Sequence, residues 1–203
     1  MPADYFNTFN NIYIISLNKP SKSNTAKSGS TLLYPSKNFI KRKYLVTSAE
    51  SYDSIDILKK TINTRKKSLV IFVDDFIGTG ETAIKALDNY LLNYAVSDDE
   101  VIIVSLVSLQ TGIKLINDYG VDVFNALTME RGISDSPTIA DKPRALDIID
   151  KIEERLKVRL DCRRGYKGSE ALVSLDKTPN NTFPVFWTNA KVDGEKWPAP
   201  FYR

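Results

Sequence analysis

The stretch that decides the fold is Val70-Ile-Phe-Val-Asp-Asp-Phe-Ile-Gly-Thr-Gly-Glu-Thr82. Four apolar residues end in two adjacent carboxylates, Asp74 and Asp75, and a short loop of Gly and Thr then leads into a helical pattern. This order predicts a buried strand, two acids at its carboxyl end, and a nest of backbone N–H groups at a helix N-terminus. A sugar-phosphate ligand would be bound by both halves of the stretch at once.

The residues on both sides of this stretch alternate between apolar strand patterns and amphipathic helix patterns. Strands that are apolar on both faces are typical of a parallel sheet covered by helices on each side. We therefore predict an α/β core in residues 1–135, and a C-terminal helix and irregular hood packed on that core in residues 136–203. The name hood is used below for residues 165–200, which contain only short apolar runs. The predicted strands are residues 12–17, 44–47, 69–73, 101–109 and 121–129, and the predicted helices are 51–63, 81–93, 111–119 and 147–158.

The composition limits the chemistry that this chain can carry out. Its 203 residues include 28 basic and 25 acidic side chains, a net charge of +3 that by itself does not indicate a nucleic-acid partner. The absence of histidine excludes catalytic triads and zinc sites that depend on imidazole. The single cysteine, Cys162, excludes an intrachain disulfide and predicts a reducing, cytoplasmic location. No apolar run approaches the ~20 residues that span a bilayer, so we expect no membrane-inserted segment.

The loop after the two acids has the composition of a phosphate site. Gly78 and Gly80 allow the backbone to approach a ligand closely, and the N-terminus of the following helix favours an anion. The two carboxylates can accept hydrogen bonds from the cis-hydroxyls of a ribose, or hold Mg²⁺ directly or through water. An ordinary strand followed by a capped helix is the alternative. The residues predicted to bind phosphate are Gly78, Thr79, Gly80, Glu81 and Thr82.

Residues 70–82 resemble the phosphoribosyl-pyrophosphate (PRPP) motif of type I phosphoribosyltransferases: an apolar strand, two acids, two apolar residues and a small-Thr-Gly-x-Thr loop. The resemblance implies the type I phosphoribosyltransferase fold, a central parallel sheet flanked by helices with a hood over the base pocket, and Mg²⁺ as cofactor. It also implies that Asp74 and Asp75 bind the ribose hydroxyls as catalytic and metal-binding residues, and that residues 78–82 bind the 5′-phosphate. In 6-oxopurine salvage enzymes an Asp at the position of Gly78 serves as a base, so the resemblance argues here against that mechanism.

The resemblance further implies a pyrophosphate-binding loop after the first strand, within residues 18–30. Lys27, Ser28 and Gly29 are the candidates, because a cation next to small hydrogen-bond donors suits an anion. Lys27 is also a candidate catalytic residue. A flexible polar loop is the alternative for this segment, and Pro35 argues against a long helix directly after it.

Two segments in the C-terminal part of the chain extend the resemblance to one particular branch of these proteins. Gly165-Tyr-Lys-Gly-Ser-Glu-Ala-Leu-Val173 and Thr178-Pro-Asn-Asn-Thr-Phe-Pro-Val-Phe-Trp187 are similar to segments of PRTase-CE, a branch of bacterial phosphoribosyltransferase-like proteins associated with conflict and defence. Asn180, Asn181 and Trp187 offer amide groups and a flat apolar surface, so we predict that they contact a nucleobase. A packed turn between two lobes is an equal alternative.

The resemblance implies Mg²⁺-dependent transfer of a phosphoribosyl group from PRPP to a nitrogen nucleophile, in a bacterial defence setting. A non-catalytic subunit that senses PRPP or a nucleotide and acts through a protein or nucleic-acid partner is one alternative. A phosphoribosyl hydrolase, or an enzyme that modifies a macromolecule, is another. Basic clusters at 41–43, 65–67 and 163–164 leave a nucleic-acid partner open. The acceptor and a homo-oligomeric state also stay open.

Overall fold

The fold is a parallel β-sheet with helices packed on both of its faces. The computed structural model describes residues 3–17, 30–61 and 66–201. After the sheet the chain continues through a helix, 3₁₀ turns and a small hairpin. In chain order the elements are α1 (Ala3–Phe6), β1 (Asn11–Ser16), α2 (Ser30–Tyr44), β2 (Ala49–Tyr52), α3 (Ile57–Thr61), β3 (Ser68–Ile77), α4 (Glu81–Asn93), β4 (Glu100–Leu109), α5 (Gln110–Asp118), β5 (Asp122–Met129), α6 (Lys142–Arg155), 3₁₀ turns at Leu160–Cys162, Tyr166–Gly168 and Pro184–Phe186, β6 (Lys191–Val192) and β7 (Glu195–Lys196).

The sheet in the described part of the chain has five strands in the order β2-β1-β3-β4-β5, and every neighbouring pair is parallel. β3 lies at its centre and is buried from Ser68 to Val73. The strand order reverses between β1 and β3, because the chain leaves β1 toward one edge of the sheet and β3 toward the other. Ligands of open parallel sheets bind in the crevice at such a reversal, outside the carboxyl ends of the strands. The loop that follows Ile77 lies at this edge.

The two faces of the sheet are covered by different helices. α2 packs on one face, where Leu33 and Ile40 are buried against β1 and β3. α4 packs on the other face, where Leu87 and Tyr90 are buried in one cluster with Phe72. Burial of a large apolar side chain contributes roughly 1.5–3 kcal/mol, so both layers stabilise the sheet. The two-sided burial also explains why β3 begins as a continuous apolar run.

Most of the predicted core elements are confirmed. The strands predicted where β1, β3, β4 and β5 lie, and the helices predicted where α4 and α5 lie, all form. β3 continues through Ile77, beyond its predicted end at Val73. Asp74 and Asp75 therefore lie inside the strand, where Asp74 pairs in register with Ser105 of β4.

Two predictions in the first third of the chain are wrong. Pro35 lies inside α2, a helix of 15 residues, because burial of Leu33 and Ile40 outweighs the hydrogen bond that Pro cannot donate. The segment 44–47, predicted as a strand, contains the end of α2, and β2 begins at Ala49 instead. Neither α2 nor any other described helix is long and apolar enough to cross a membrane.

The bounds of two predicted helices also differ from those observed. Ser51, the first residue of the helix predicted at 51–63, pairs with Ile14 in the ladder between β1 and β2, and the helix observed in the described residues is α3, Ile57–Thr61. The last predicted helix starts earlier, as α6, because the Asp141 carboxylate accepts a hydrogen bond of 3.0 Å from the backbone N–H of Arg144. Strand pairing and capping, rather than hydrophobic periodicity, set these bounds.

The hood packs against two parts of the core. Ala171 and Val173 are buried in one cluster with Phe76 at the carboxyl end of β3. Phe183 and Val185 are buried in a second cluster, with residues of α6. The hood therefore covers the end of the central strand. The division of the chain at residue 135 stays a prediction.

A glycine in the first turn of α5 allows the helix to approach the loop after β3. A Cβ atom at Gly112 would lie 2.3 Å from the backbone carbonyl oxygen of Gly78 and 3.0 Å from Cγ2 of Ile77. In most helices, Gly→Ala stabilises by up to about 1 kcal/mol. We expect Gly112→Ala to lower the free energy of unfolding by about 1–3 kcal/mol instead, because the helix and the loop must separate. Urea denaturation measures this change.

Lys114→Ala is the matched control, because Lys114 is exposed on the same helix. We expect its free energy of unfolding to stay within about 0.5 kcal/mol of wild type. A Gly112→Ala variant that is as stable as wild type would contradict the close packing of α5 on the loop.

Candidate functional site

A cleft opens at the carboxyl end of β3, where the sequence predicts the ligand site. One side of the cleft is formed by Asp74 and by the loop and first helical turn at residues 78–82. The opposite side is formed by Tyr166, Asn180 and Asn181 of the hood. The structure thus brings together the predicted phosphate residues, one of the two acids and both asparagines.

The loop ends in a helix N-terminus that carries no side-chain cap. Gly80 is the N-cap residue of α4 and has φ +82°, a left-handed conformation that glycine adopts without strain. Because Gly80 has no side chain, no side-chain cap hydrogen bond occupies the first N–H groups of α4. The hydroxyl-bearing Thr79 and Thr82 line the cleft beside these N–H groups. Uncapped N–H groups at the positive end of a helix dipole form an anion site.

The two acids at the end of the apolar run contact each other. The backbone N–H of Asp75 donates to Oδ1 of Asp74 at 2.9 Å. Burial raises the pKa of Asp74 to about 8, with further contributions from the charge of Asp75 and from a hydrogen bond between the two carboxyl groups. Asp74 lines the cleft, whereas Asp75 is held next to it without lining it. Burial therefore favours the protonated form of Asp74 in the free protein.

A cation or a pair of hydroxyl donors would favour the ionised form of this acid pair. Among the described residues, no group of three or more acidic, Cys or His side chains could hold a metal ion by itself. Mg²⁺ is commonly bound by one or two carboxylates together with oxygen atoms of a phosphorylated ligand. Asp74 lines the cleft and fits such a shared site, and its carboxyl group suits the hydroxyls of a ribose equally well.

The hood contacts the phosphate loop directly. The side-chain amide of Asn181 lies so close to Gly78 that a Cβ atom there would be 2.2 Å from Nδ2. The ammonium group of Lys167 lies 2.5 Å from Oε1 of Glu81, at the start of α4. The cleft is therefore closed on the hood side by an amide and by an ion pair.

A buried carboxylate attaches the hood to the loop after β5. Glu170 is buried, and its carboxylate accepts hydrogen bonds from the backbone N–H of Ser134 at 2.7 Å, from the Ser134 hydroxyl at 2.6 Å and from the N–H of Ile133 at 3.2 Å. The backbone carbonyl of Glu170 accepts from the N–H of Gly132 at 2.8 Å. These four hydrogen bonds position the hood segment that carries Tyr166.

A second buried carboxylate fixes the chain just before the hood. Glu153 of α6 is fully buried and accepts a hydrogen bond from the backbone N–H of Arg164 at 2.7 Å. Burial raises the pKa of Glu153. The Arg164 guanidinium in turn donates to Asp150 at 2.7 Å. The Asp150 carboxylate therefore compensates one of the two positive charges in the basic cluster at 163–164.

The remaining predicted site residues lie elsewhere. Trp187 is not among the residues that line the cleft, and its indole N–H donates to the backbone carbonyl of Thr182 at 2.8 Å. Lys27, Ser28 and Gly29 lie outside the described residues. Their roles stay predictions.

Sequence reasoning did not identify Tyr166, Lys167 or Glu170 as parts of the site. The first two belong to the Gly165-Tyr-Lys-Gly segment, which supported the family resemblance without suggesting a role for either residue. Lys167 and Glu81 are 86 residues apart in the chain. Only the spatial packing of the hood brings them together.

The parallel sheet, the uncapped helix N-terminus and the neighbouring acids define a phosphoribosyltransferase-like α/β protein. The chain belongs to the PRTase-CE family, whose model matches residues 2–203. The family and the sheet topology together confirm the predicted fold class, the type I phosphoribosyltransferase fold. No curated protein matches the chain.

Two solved structures are similar to the chain at low identity. Orotate phosphoribosyltransferase from Aeropyrum pernix is 17% identical, with a TM-score of 0.34, over 57% of this chain and 58% of that chain. A hypothetical protein from Neisseria gonorrhoeae with bound ppGpp is 14% identical, with a TM-score of 0.38, over 70% of this chain and 85% of that chain. The chain thus spans 58% of the length of the orotate enzyme that it matches.

The raised pKa of Asp74 makes stability depend on pH. The pKa rises from 3.8 to about 8 on folding, so the folded state binds the proton more tightly between these values and stability falls as the pH rises from 4 to 8. Asp74→Asn removes this dependence. We expect the variant to be more stable than wild type at pH 8 by roughly 2 kcal/mol, because solvent screens part of the effect at this half-buried carboxyl group, and about equal at pH 4.

Urea unfolding at pH 4, 6 and 8 measures this gain. Asp98→Asn, which removes an exposed charge, is the matched control. A stability gain for Asp74→Asn that does not grow with pH would show that the acid pair is not strained by burial.

The hydrogen bonds of Glu170 predict that even the conservative substitution Glu170→Gln destabilises the protein. Glu170→Gln keeps the shape of the side chain but replaces an accepting oxygen with an NH₂ group, which leaves a donor at Ser134 without a partner. We expect the free energy of unfolding to fall by about 1–3 kcal/mol. Glu195→Gln, in the exposed hairpin, is the control and should be neutral. Equal stability of the two variants would contradict the proposed anchoring of the hood.

Proposed function

We propose that the chain binds the ribose 5-phosphate group of PRPP or of a nucleotide in the cleft at the end of β3, and that it transfers the phosphoribosyl group. One observation carries this proposal: the uncapped N-terminus of α4 and the half-buried carboxyl group of Asp74 line the same cleft. The helix N-terminus suits an anion, and the carboxyl group suits hydroxyl donors. Ribose 5-phosphate has a phosphate at one end and adjacent hydroxyls on its ring, so it matches both.

In the phosphate half of the site, the backbone N–H groups and hydroxyls of residues 79–82 would bind the 5′-phosphate. Glu81 places a negative charge at the same helix end and would repel the phosphate. The contact of 2.5 Å between Glu81 and Lys167 offsets this charge. The hood thus contributes to the electrostatics of the phosphate site.

In the ribose half of the site, Asp74 and Asp75 would accept hydrogen bonds from the ribose hydroxyls and orient the sugar. They would also hold Mg²⁺ directly or through water, and the ion, when bound, would neutralise part of the charge of the pyrophosphate leaving group. Binding of either partner lowers the pKa of Asp74 and favours its carboxylate form. The same carboxylates would stabilise positive charge that develops on the ribose ring.

In the transfer that we propose, the bond between C1′ and the pyrophosphate oxygen breaks and a bond to a nitrogen of the acceptor forms. Pyrophosphate leaves with the electron pair, and the acceptor nitrogen loses a proton to solvent or to a base. Lys27, Ser28 and Gly29 remain our proposal for the pyrophosphate loop. The bacterial defence setting that we propose rests on membership in the PRTase-CE family.

Isothermal titration of the folded 203-residue chain with PRPP and Mg²⁺ tests this function. We expect saturable binding, and we expect Asp74→Asn, Asp75→Asn to weaken it at least about tenfold, because charge-assisted hydrogen bonds to the ribose are lost. The control is Asp98→Asn, outside the cleft. Pyrophosphate release with an acceptor base would support transfer, and binding without release would support the non-catalytic sensor instead. Absence of PRPP binding by folded wild type would contradict the proposed transfer.

A further inference from the structure

The cleft at the start of α4 is lined by negatively charged side chains and by none that is positively charged. Asp74 and Glu81 line it, and no lysine or arginine in the described part of the chain does so. A phosphate monoester carries a charge of about −1.5 to −2 at pH 7. The N–H groups at the helix end contribute only a partial positive charge. A phosphate at this site would therefore bind more tightly if a cation reached it from the rim of the cleft.

Lys167 of the hood places a cation at this rim. Its ammonium group donates to Oε1 of Glu81, and the two atoms are 2.5 Å apart. Because Glu81 is the first residue of α4, the ammonium group lies next to the helix end that would receive the phosphate. It also lies 5.7 Å from the ring centroid of Tyr166, which lines the cleft. The side chain of Lys167 is 53% exposed, so a ligand in the cleft can reach it.

The backbone that presents Lys167 is held in an unfavourable conformation. Lys167 has φ +54° and ψ +35°, in the left-handed region that residues with a side chain rarely adopt. Arg164 and Glu170, at the two ends of the same turn, also have positive φ. The N–H of Glu170 donates to the carbonyl of Arg164 at 2.7 Å, and the N–H of Gly168 donates to that of Gly165 at 2.9 Å. Strained conformations that the surrounding structure enforces are common where a protein holds a ligand.

The contact with Glu81 leaves part of the ammonium group available. An ammonium group has three N–H donors and no acceptor. In the described part of the chain, the hydrogen bond to Glu81 uses one of these donors. The group can therefore donate to Glu81 and to a phosphate oxygen at the same time. Such a hydrogen bond joins a cation to an anion and is stronger than one between neutral groups.

We propose that Lys167 donates a hydrogen bond to the phosphate of a ligand bound at the N-terminus of α4, and that Glu81 is a positioning residue that holds the ammonium group there. This inference deepens the proposed function and rests on it, because the phosphate is that of the ribose 5-phosphate group. It also accounts for an acid at the start of an anion-binding helix. The hood thus supplies a direct phosphate ligand in addition to compensating the charge of Glu81.

Isothermal titration of the folded 203-residue chain with ribose 5-phosphate separates a direct contact from simple charge compensation. We expect Lys167→Met to weaken binding by about five- to tenfold, because a charge-assisted hydrogen bond is lost. The same loss should appear in a Glu81→Gln background, where no charge at position 81 needs compensation. Lys167→Arg keeps a cation with several donors and should bind within about threefold of wild type.

Lys191→Met, at an exposed lysine in β6, is the matched control for the loss of one positive charge and should bind like wild type. Unchanged midpoints of urea denaturation show that the variants are folded. A loss in Lys167→Met that disappears in the Glu81→Gln background would overturn the inference, because Lys167 would then only compensate Glu81. An equal loss in Lys191→Met, or no loss in Lys167→Met, would also overturn it. Failure of folded wild type to bind ribose 5-phosphate would instead overturn the proposed function, so the two failures are distinguishable.

Discussion

The site depends on the close approach of three segments at Gly78, which only a residue without a side chain permits. α5 contacts the loop from one side, where a Cβ atom at Gly112 would lie 2.3 Å from the Gly78 carbonyl oxygen. The hood contacts it from the other side through Asn181. A loop that is packed on both sides loses little conformational entropy when a ligand binds. The packing therefore prepares the N-terminus of α4 for an anion before a ligand binds.

The acidic side chains around the loop after β3 are electrostatically unfavourable in the free protein. The half-buried Asp74 lies next to a second carboxyl group, and its partial burial and this neighbour raise its pKa to about 8. Strongly shifted acids are common at functional sites, because the arrangement that strains the free protein is relieved by the ligand. Glu81 adds negative charge at the helix end, and Lys167 of the hood compensates it. The charge of Glu81 is thus compensated by the hood.

The sequence was sufficient to predict the parts of the structure that depend on local order. The apolar run, the acids and the Gly-Thr loop lie next to each other in the chain, so β3 and the start of α4 could be derived from residues 70–82. The helix through Pro35 could not, because tertiary burial overrides the local penalty of proline. The roles of Lys167 and Glu170 also could not be derived, because their partners are distant in the chain and are reached only through the packing of the hood.

The central claim is that ribose 5-phosphate binds across the loop and the acid pair. A crystal structure of the full chain with ribose 5-phosphate tests this claim most directly. The account predicts the phosphate within hydrogen-bond distance of the backbone N–H groups at the start of α4, and the ribose hydroxyls facing Asp74. A sugar phosphate bound elsewhere on the protein, with the cleft at residues 78–82 left empty, would contradict it.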